Sequence, residues 1–486
     1  MSVLMSTGDL GPVDARPRYE QLADTLERCI RDGLLAPGDR LPSVRALCEM
    51  HDASPATVTH ALHRLEDAGL IEARPRSGFF VRRQSRNLLA PPSQCVDALT
   101  APQRIELGPH RQLLMEFAHD QVGNTLGRAR IDPGLYPVES LRKLLARQLQ
   151  REPSLLTDYA FDAGDLALRE QVARRAIQAG SHWLADDVLV THGSSEGLAL
   201  CLRLLTQPGE VVAIPTPTDP MWLEILNALD LRALEIPAHP CDGLSVDALT
   251  LALRQQKIAA VLVAPNFPNP TGSLMSDEAK QRLVMLTAEY GVPLIEDDQG
   301  GELGHLAVRP KPCKAFDQTG QVLLVGDLGL VVGLGLQVGY VIAGRYREAL
   351  EALKHVLYEP VPRLIQRAVA AFMASGQFEP HLRRLRRGIA DHLATHHALV
   401  CEHFPPACRL ACAPGGYMLW IELPRHIDTA ELRRRTLIEG IEFAPGALFS
   451  LGDTFRNCLR LNAGLPVTPS AEQAIRRLGQ LVAASL

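Results

Sequence analysis

Apolar residues at Leu22, Leu26 and Ile30 fall on one helical face, so the spacing predicts a helix from Tyr19 that Gly33 is placed to stop. The turn APGDRLP follows, and Ser43 is positioned to cap a short helix through Glu49. Ser54-Pro55 then places a capping residue before a proline at the first helical position, starting a third helix that reaches Ala68 and ends at Gly69. Two extended pieces, LIEAR and GFFVRR, flank Pro75-Arg76-Ser77-Gly78. Further on, short apolar runs alternate with helical patterns: DVLVTHG, SSEGLALCLRLL, EVVAIP, MWLEILNAL, AAVLVAP, VPLIEDD and VLLVGD. That alternation predicts a largely parallel sheet with helices on both faces. From Leu350 the pattern is mainly helical, above all between Pro362 and Val400, and GGYMLWIELP and CLRLNAG predict a smaller α/β region at the end.

Five regions follow: an N-terminal arm (1–15), a module of three helices and a hairpin (16–83), a linker (84–112), a large α/β domain (113–355) and a small one (356–486). The first module has the winged helix-turn-helix order. The linker lacks periodicity and contains Pro91-Pro92, which reads as a semi-extended tether. Three helices and a wing place the start of the third helix, with Ser54, Ala56, Thr57, Thr59 and His60, against base edges in a major groove. Arg45, Arg64, Arg74 and Arg76 are placed for phosphates, and Arg76 with Gly78 forms the wing tip.

Composition narrows the setting. A length of 486 residues calls for more than one core, and 46% apolar with 22% charged residues fits a soluble protein. The net charge of −5 gives no overall attraction to nucleic acid, so a basic surface must be local. Residues 16–86 hold twelve Arg against ten Asp and Glu, only mildly basic, so dimerisation is expected to supply the second half-site. Ten scattered cysteines read as free thiols in a reducing compartment, with no disulfide framework and no metal site. The first residues lack a signal-peptide pattern and no apolar run spans a bilayer, so a cytoplasmic location and no membrane partner are expected.

The stretch PGDRLPSVRALCEMHDASPATVTHALHRLEDAGLIEARPRSGFFV resembles the DNA-binding domain of the GntR regulators. The rest resembles fold-type I aminotransferases through Pro268-Asn269-Pro270-Thr271-Gly272, Ile295-Glu296-Asp297-Asp298, PHLRRLRRGIADH, Pro445-Gly446 with Phe449-Ser450, and Leu459-Arg460-Leu461. Together they resemble the MocR-like subfamily. The resemblance implies a DNA-binding, homodimeric regulator with a double-stranded operator as partner and a pyridoxal-phosphate pocket. It implies that Asn269 meets the cofactor's ring oxygen, Asp297 its pyridine nitrogen and Arg460 a substrate carboxylate.

Several positions depart from that pattern. In GDLGLVVGLGLQVGY, Leu330 stands where the family has the cofactor lysine, and an alkyl side chain cannot form a Schiff base in its place. The phosphate-holding hydroxyls fall at Asp327 and Gly329, and the phosphate-clamping arginine at Gln337. The ring-stacking aromatic aligns with Asp219, and the tyrosine after the acidic pair gives way to Gln299 and Gly300. What remains for an anion is the helix start at Gly193-Ser194-Ser195. No covalent pyridoxal phosphate and little non-covalent binding are therefore expected, and no transamination. Three readings of the pocket stay open. It takes a small amine- or carboxylate-bearing effector through Arg460, Asp297 and Asp219. It is packed shut by Leu328, Leu330, Val331, Val332, Leu334 and Leu336. Or another lysine, Lys311 or Lys314, serves in an active aminotransferase.

Overall fold

The computed structural model describes residues 17–31, 35, 39–67, 70–74, 78–81, 89–92, 101–105, 115, 126–159, 162–305, 308–411 and 413–486. The chain divides into two compact units, residues 1–86 and 87–486.

In the first unit, α1 (Arg18–Arg31), α2 (Val44–His51) and α3 (Pro55–Asp67) precede a hairpin of β1 (Ile71–Arg74) and β2 (Gly78–Val81). Ser43 caps α2 by accepting from the Ala46 amide, and Ser54 Oγ accepts from the Thr57 amide at the start of α3. Leu22, Leu26 and Ile30 meet Leu47, Val58, Ala61, Leu62 and Leu65 in one core, closed by Ile71 and Val81 of the hairpin. Residues 39–41 add to the wing: Val81 N donates to Asp39 O and Leu41 N to Phe79 O. Gly33, Gly69 and Arg76 lie outside the described residues.

The second unit is built on a nine-stranded sheet in the order β3-β6-β5-β8-β9-β10-β11-β4, with β7 against β6. These strands are β3 (Gln103–Arg104), β4 (Val188–Thr191), β5 (Val211–Thr216), β6 (Arg232–His239), β7 (Gly243–Leu244), β8 (Ala260–Val263), β9 (Leu294–Asp297), β10 (Val322–Asp327) and β11 (Gly339–Ile342). From β6 through β10 the pairing is parallel, while β11 runs antiparallel to both β10 and β4. The fully buried runs of β8 and β9 are those of parallel strands covered on both faces, and β4, antiparallel to β11, is buried as completely.

Two features differ from the sequence expectation. The linker is not a tether throughout: Gln103–Arg104 pairs with Arg232–Ala233 as an edge strand, and Ala90 O accepts from Leu410 N. Strands β6, β7 and β11 of this sheet are additional to the expected set. In β6, Arg232, Glu235 and Pro237 break the apolar run, yet Glu235 is buried and accepts from Thr216 Oγ1 and Leu451 N. The unit ends in an antiparallel sheet, β12 (Arg409–Leu410), β13 (Met418–Glu422), β15 (Cys458–Asn462) and β14 (Ala444–Pro445). The helices Phe378–His403 and Pro469–Ala483 pack on it through Val400, Cys401, Ile475 and Leu478.

Candidate functional sites

In the first unit, α3 buries Val58, Ala61, Leu62 and Leu65 and leaves Ser54, Ala56 and His60 exposed at its N-terminal end, with Thr57 and Thr59 half-buried beside them. That is the face a recognition helix presents to a groove. Arg45 projects from α2, 91% exposed, and pairs with Glu49 on its own helix. Arg64 is turned differently. Its guanidinium lies 3.3 Å from Glu20 and 3.9 Å from Asp24 on α1, so two carboxylates hold it where phosphate contact was expected. His60 stacks on Tyr19 at 3.9 Å between ring centroids, which ties the exposed helix start to α1. Arg74 lies in β1, and Gly78, at φ +97°, opens β2 in the left-handed region that favours glycine. Arg40 was not among the expected contacts; it lies exposed beside Gly78, at the base of the wing.

In the second unit, the loops after β4, β5, β8, β9 and β10 converge beyond the carboxyl ends of the strands, the usual ligand position in such sheets. The helix Gly193–Leu205 opens here beside the short turn Gly329–Val332, and a carboxyl group already sits on an amide of each. Asp327 Oδ2 accepts from Ser194 N at 3.1 Å, and Asp327 Oδ1 accepts from Leu330 N at 3.1 Å. The amide cradle expected to be free for phosphate thus holds this chain's own carboxylate. The neighbouring glycines make room for it: a Cβ on Gly329 would lie 3.0 Å from Asp327 Oδ1, and one on Gly193 3.3 Å from Oδ2. Burial raises the Asp327 pKa, and the amide hydrogen bonds oppose that rise. Ser195 is exposed on the first turn, and Gln337 is exposed with its Nε2 donating to Leu334 O.

Beside this cradle lies a cavity of about 170 Å³. Leu330 forms part of its wall, with Trp222, Phe267 and Tyr417 supplying aromatic surface. Leu328, Val331 and Val332 pack into the core, but Leu334 is exposed, so the apolar run narrows the pocket without filling it. Asp297, at the end of β9, accepts from Trp222 Nε1 (3.2 Å), Gln299 Nε2 (3.0 Å) and Gln299 N (3.2 Å). Burial pushes its pKa up to about 7, with the Asp219 charge adding to the rise and the hydrogen bonds opposing it. Asp219 caps the helix Pro220–Ala228 through Met221 N and accepts from Asn269 Nδ2 at 2.8 Å.

The arginine expected to grip a carboxylate is engaged internally. Arg460 Nη1 donates to Asn269 Oδ1 at 2.9 Å and Nη2 to Gly127 O, with the guanidinium over the Phe449 ring. Asn269 therefore bridges Arg460 and Asp219, and its amide is spent on both sides. Gly300 has no room for the side chain it replaces, because a Cβ there would meet Asn266 O at 2.7 Å.

Residues 18–81 match the bacterial regulatory proteins of the gntR family, and residues 129–478 match aminotransferase class I and II. The HTH-type transcriptional regulator YjiR of Escherichia coli (strain K12) is 34% identical over 469 residues, 96% of this chain and 98% of that protein. The chain belongs to the MocR-like regulators of the gntR family. TauR, an HTH-type transcriptional regulator of Rhodobacter capsulatus, is 25% identical over 92% of this chain and 93% of its own length. Among solved structures, LysN, the α-aminoadipate aminotransferase of Thermus thermophilus, is 26% identical with a TM-score of 0.70, covering 78% of this chain and 96% of that one. The protein is thus a transcriptional regulator whose larger unit has the aminotransferase fold.

The six lysines of this MocR-like regulator are all placed elsewhere, and among the described residues no lysine lines the cavity. Lys314 binds Asp317 and Val322 O, Lys311 pairs with Asp277, and Lys280 donates to Lys311 O. Lys354 pairs with Glu196, Lys257 with Glu210 and Lys143 with Glu139. Trp222, Asn266 and Tyr417 are pocket residues that sequence reasoning missed. Trp222 was legible in principle, since it follows the cap Asp219 by three positions and so shares its helix face.

Proposed function

We propose that this MocR-like regulator binds operator DNA as a homodimer. Its aminotransferase-like unit then serves pairing and small-molecule sensing, without transamination and without pyridoxal phosphate. The residues present do not fit that cofactor. The observation that carries the reading is the Asp327 carboxylate seated on the Ser194 and Leu330 amides. A phosphate dianion brought there would meet a like charge and lose the donors it needs. Among the described residues no amine faces the cavity to supply the covalent anchor. Loss of each charged hydrogen bond costs about 1.5–3 kcal/mol, so several together remove most affinity. The surviving cavity favours the sensing reading over a pocket packed shut.

DNA binding of the full chain is tested by anisotropy over a salt series, on a sequence selected from a random pool. Arg45→Ala is expected to weaken binding to all sequences and to lower the salt slope by about 1, as loss of one phosphate contact does. Thr57→Ala is expected to change sequence preference instead. Unchanged binding in both variants would contradict the assignment of the α2–α3 face to DNA.

A further inference from the structure

The cavity beside Leu330 has charge of one sign. Asp219 and Asp297 line it, and among the described residues it has no lysine, arginine or histidine. A second observation points the same way. Asn266 lines the cavity, is 1% exposed, and donates its Nδ2 to Asp298 Oδ1 (3.0 Å) and Lys311 O (3.4 Å). Both partners accept hydrogen bonds, which fixes the orientation of the amide, and its Oδ1 is left without a donor. A buried carbonyl oxygen in that state costs about 1–3 kcal/mol, so this corner of the cavity wall lacks a hydrogen-bond donor.

Size limits the ligand further. The space of about 170 Å³ is close to the ~150 Å³ of a cavity that admits benzene, and below the ~300–1,000 Å³ of ordinary ligand pockets. It holds one ring or an equivalent apolar body with a short arm. Arg460 is turned onto Asn269 and Gly127, with its Nε buried away from the cavity lining, so among the described residues a ligand carboxylate meets no lining counter-charge.

We propose that the cavity binds a small amine: a protonated nitrogen on a compact apolar or aromatic body, lacking carboxylate and phosphate. The inference rests on the sensing reading above and names its ligand class. The ammonium pairs with Asp297, while the apolar body lies among Trp222, Phe267, Tyr417 and Leu330. The groups facing Asp297 are Asp219, Gln299 and the Trp222 indole. Asp297 loses its proton near pH 7, so the amine binds the ionised form and binding weakens below that pH.

Calorimetry on the full chain with benzylamine, benzyl alcohol and benzoate tests this. Benzylamine is expected to bind, benzyl alcohol about tenfold or more weakly, and benzoate not at all. Benzylamine affinity should fall about tenfold between pH 8 and pH 6 as Asp297 takes up its proton. Asp297→Asn should remove the preference for the amine over the alcohol. Equal binding of alcohol or benzoate, or no binding of any of the three, would overturn the proposal. A wild-type protein that turns yellow with pyridoxal phosphate would strike the reading beneath it. A colourless protein indifferent to benzylamine would strike the ligand class alone.

Discussion

Leu330→Lys incubated with pyridoxal phosphate is expected to remain colourless. The new amine enters a wall shared with Leu328, Val331 and Val332, where burial lowers its pKa and destabilises the fold. More decisively, the phosphate has nowhere to sit while Asp327 holds the Ser194 and Leu330 amides. The triple variant Asp327→Ser, Leu330→Lys, Gln337→Arg clears the cradle, restores a hydroxyl donor and adds a cation beside it. It is expected to gain an aldimine absorbance band that borohydride abolishes. A yellow single variant would mean that Asp327 does not close the phosphate site. A colourless triple variant that folds normally would place the obstacle elsewhere, with Asp219 at the position of the stacking aromatic the first residue to examine.

Asp327→Ala should cost stability and create an anion site at once. Removing the carboxylate leaves buried amides without an acceptor, at about 1–3 kcal/mol each. The carboxylate's own burial, which raises its pKa, offsets part of that loss. A net destabilisation of about 2 kcal/mol is expected, read as a fall of several degrees in thermal midpoint. Phosphate or sulfate should then recover much of the lost midpoint, beyond the general stabilisation those ions give wild type at the same ionic strength. If both proteins respond equally, the cradle is not an anion site. Gly329→Thr offers an independent check: its Cβ would crowd Asp327 Oδ1 at 3.0 Å, so it should destabilise wild type more than the Asp327→Ala background.

Local signals carried the first unit almost completely. Ser43 and Ser54 cap the helices the pattern predicts, and Leu22, Leu26 and Ile30 face the core, because these depend on residues a few positions apart. The strands read from apolar runs also form, since burial on both faces leaves an unbroken signature. Strand β6 escaped because Arg232, Glu235 and Pro237 interrupt that signature and are accommodated by distant partners such as Leu451. The candidate residues can be named from sequence, but their arrangement cannot. Substitution at Asp327 reads from sequence as a repulsive neighbour for phosphate. Only the contact with Ser194, 133 positions away, seats it on an amide that was expected to be free for phosphate. Arg460 likewise reads as a carboxylate clamp, and only the fold turns it onto Asn269 and Gly127.

In the proposed function, the aminotransferase pocket of this regulator has exchanged its cofactor for these internal partners. The absorbance spectrum of the wild-type full chain, taken with pyridoxal phosphate before and after borohydride and followed by intact-mass measurement, tests it most directly. No aldimine band and an unchanged mass are expected. A band that borohydride abolishes, with the mass of one phosphopyridoxyl group added at a single lysine, would contradict it.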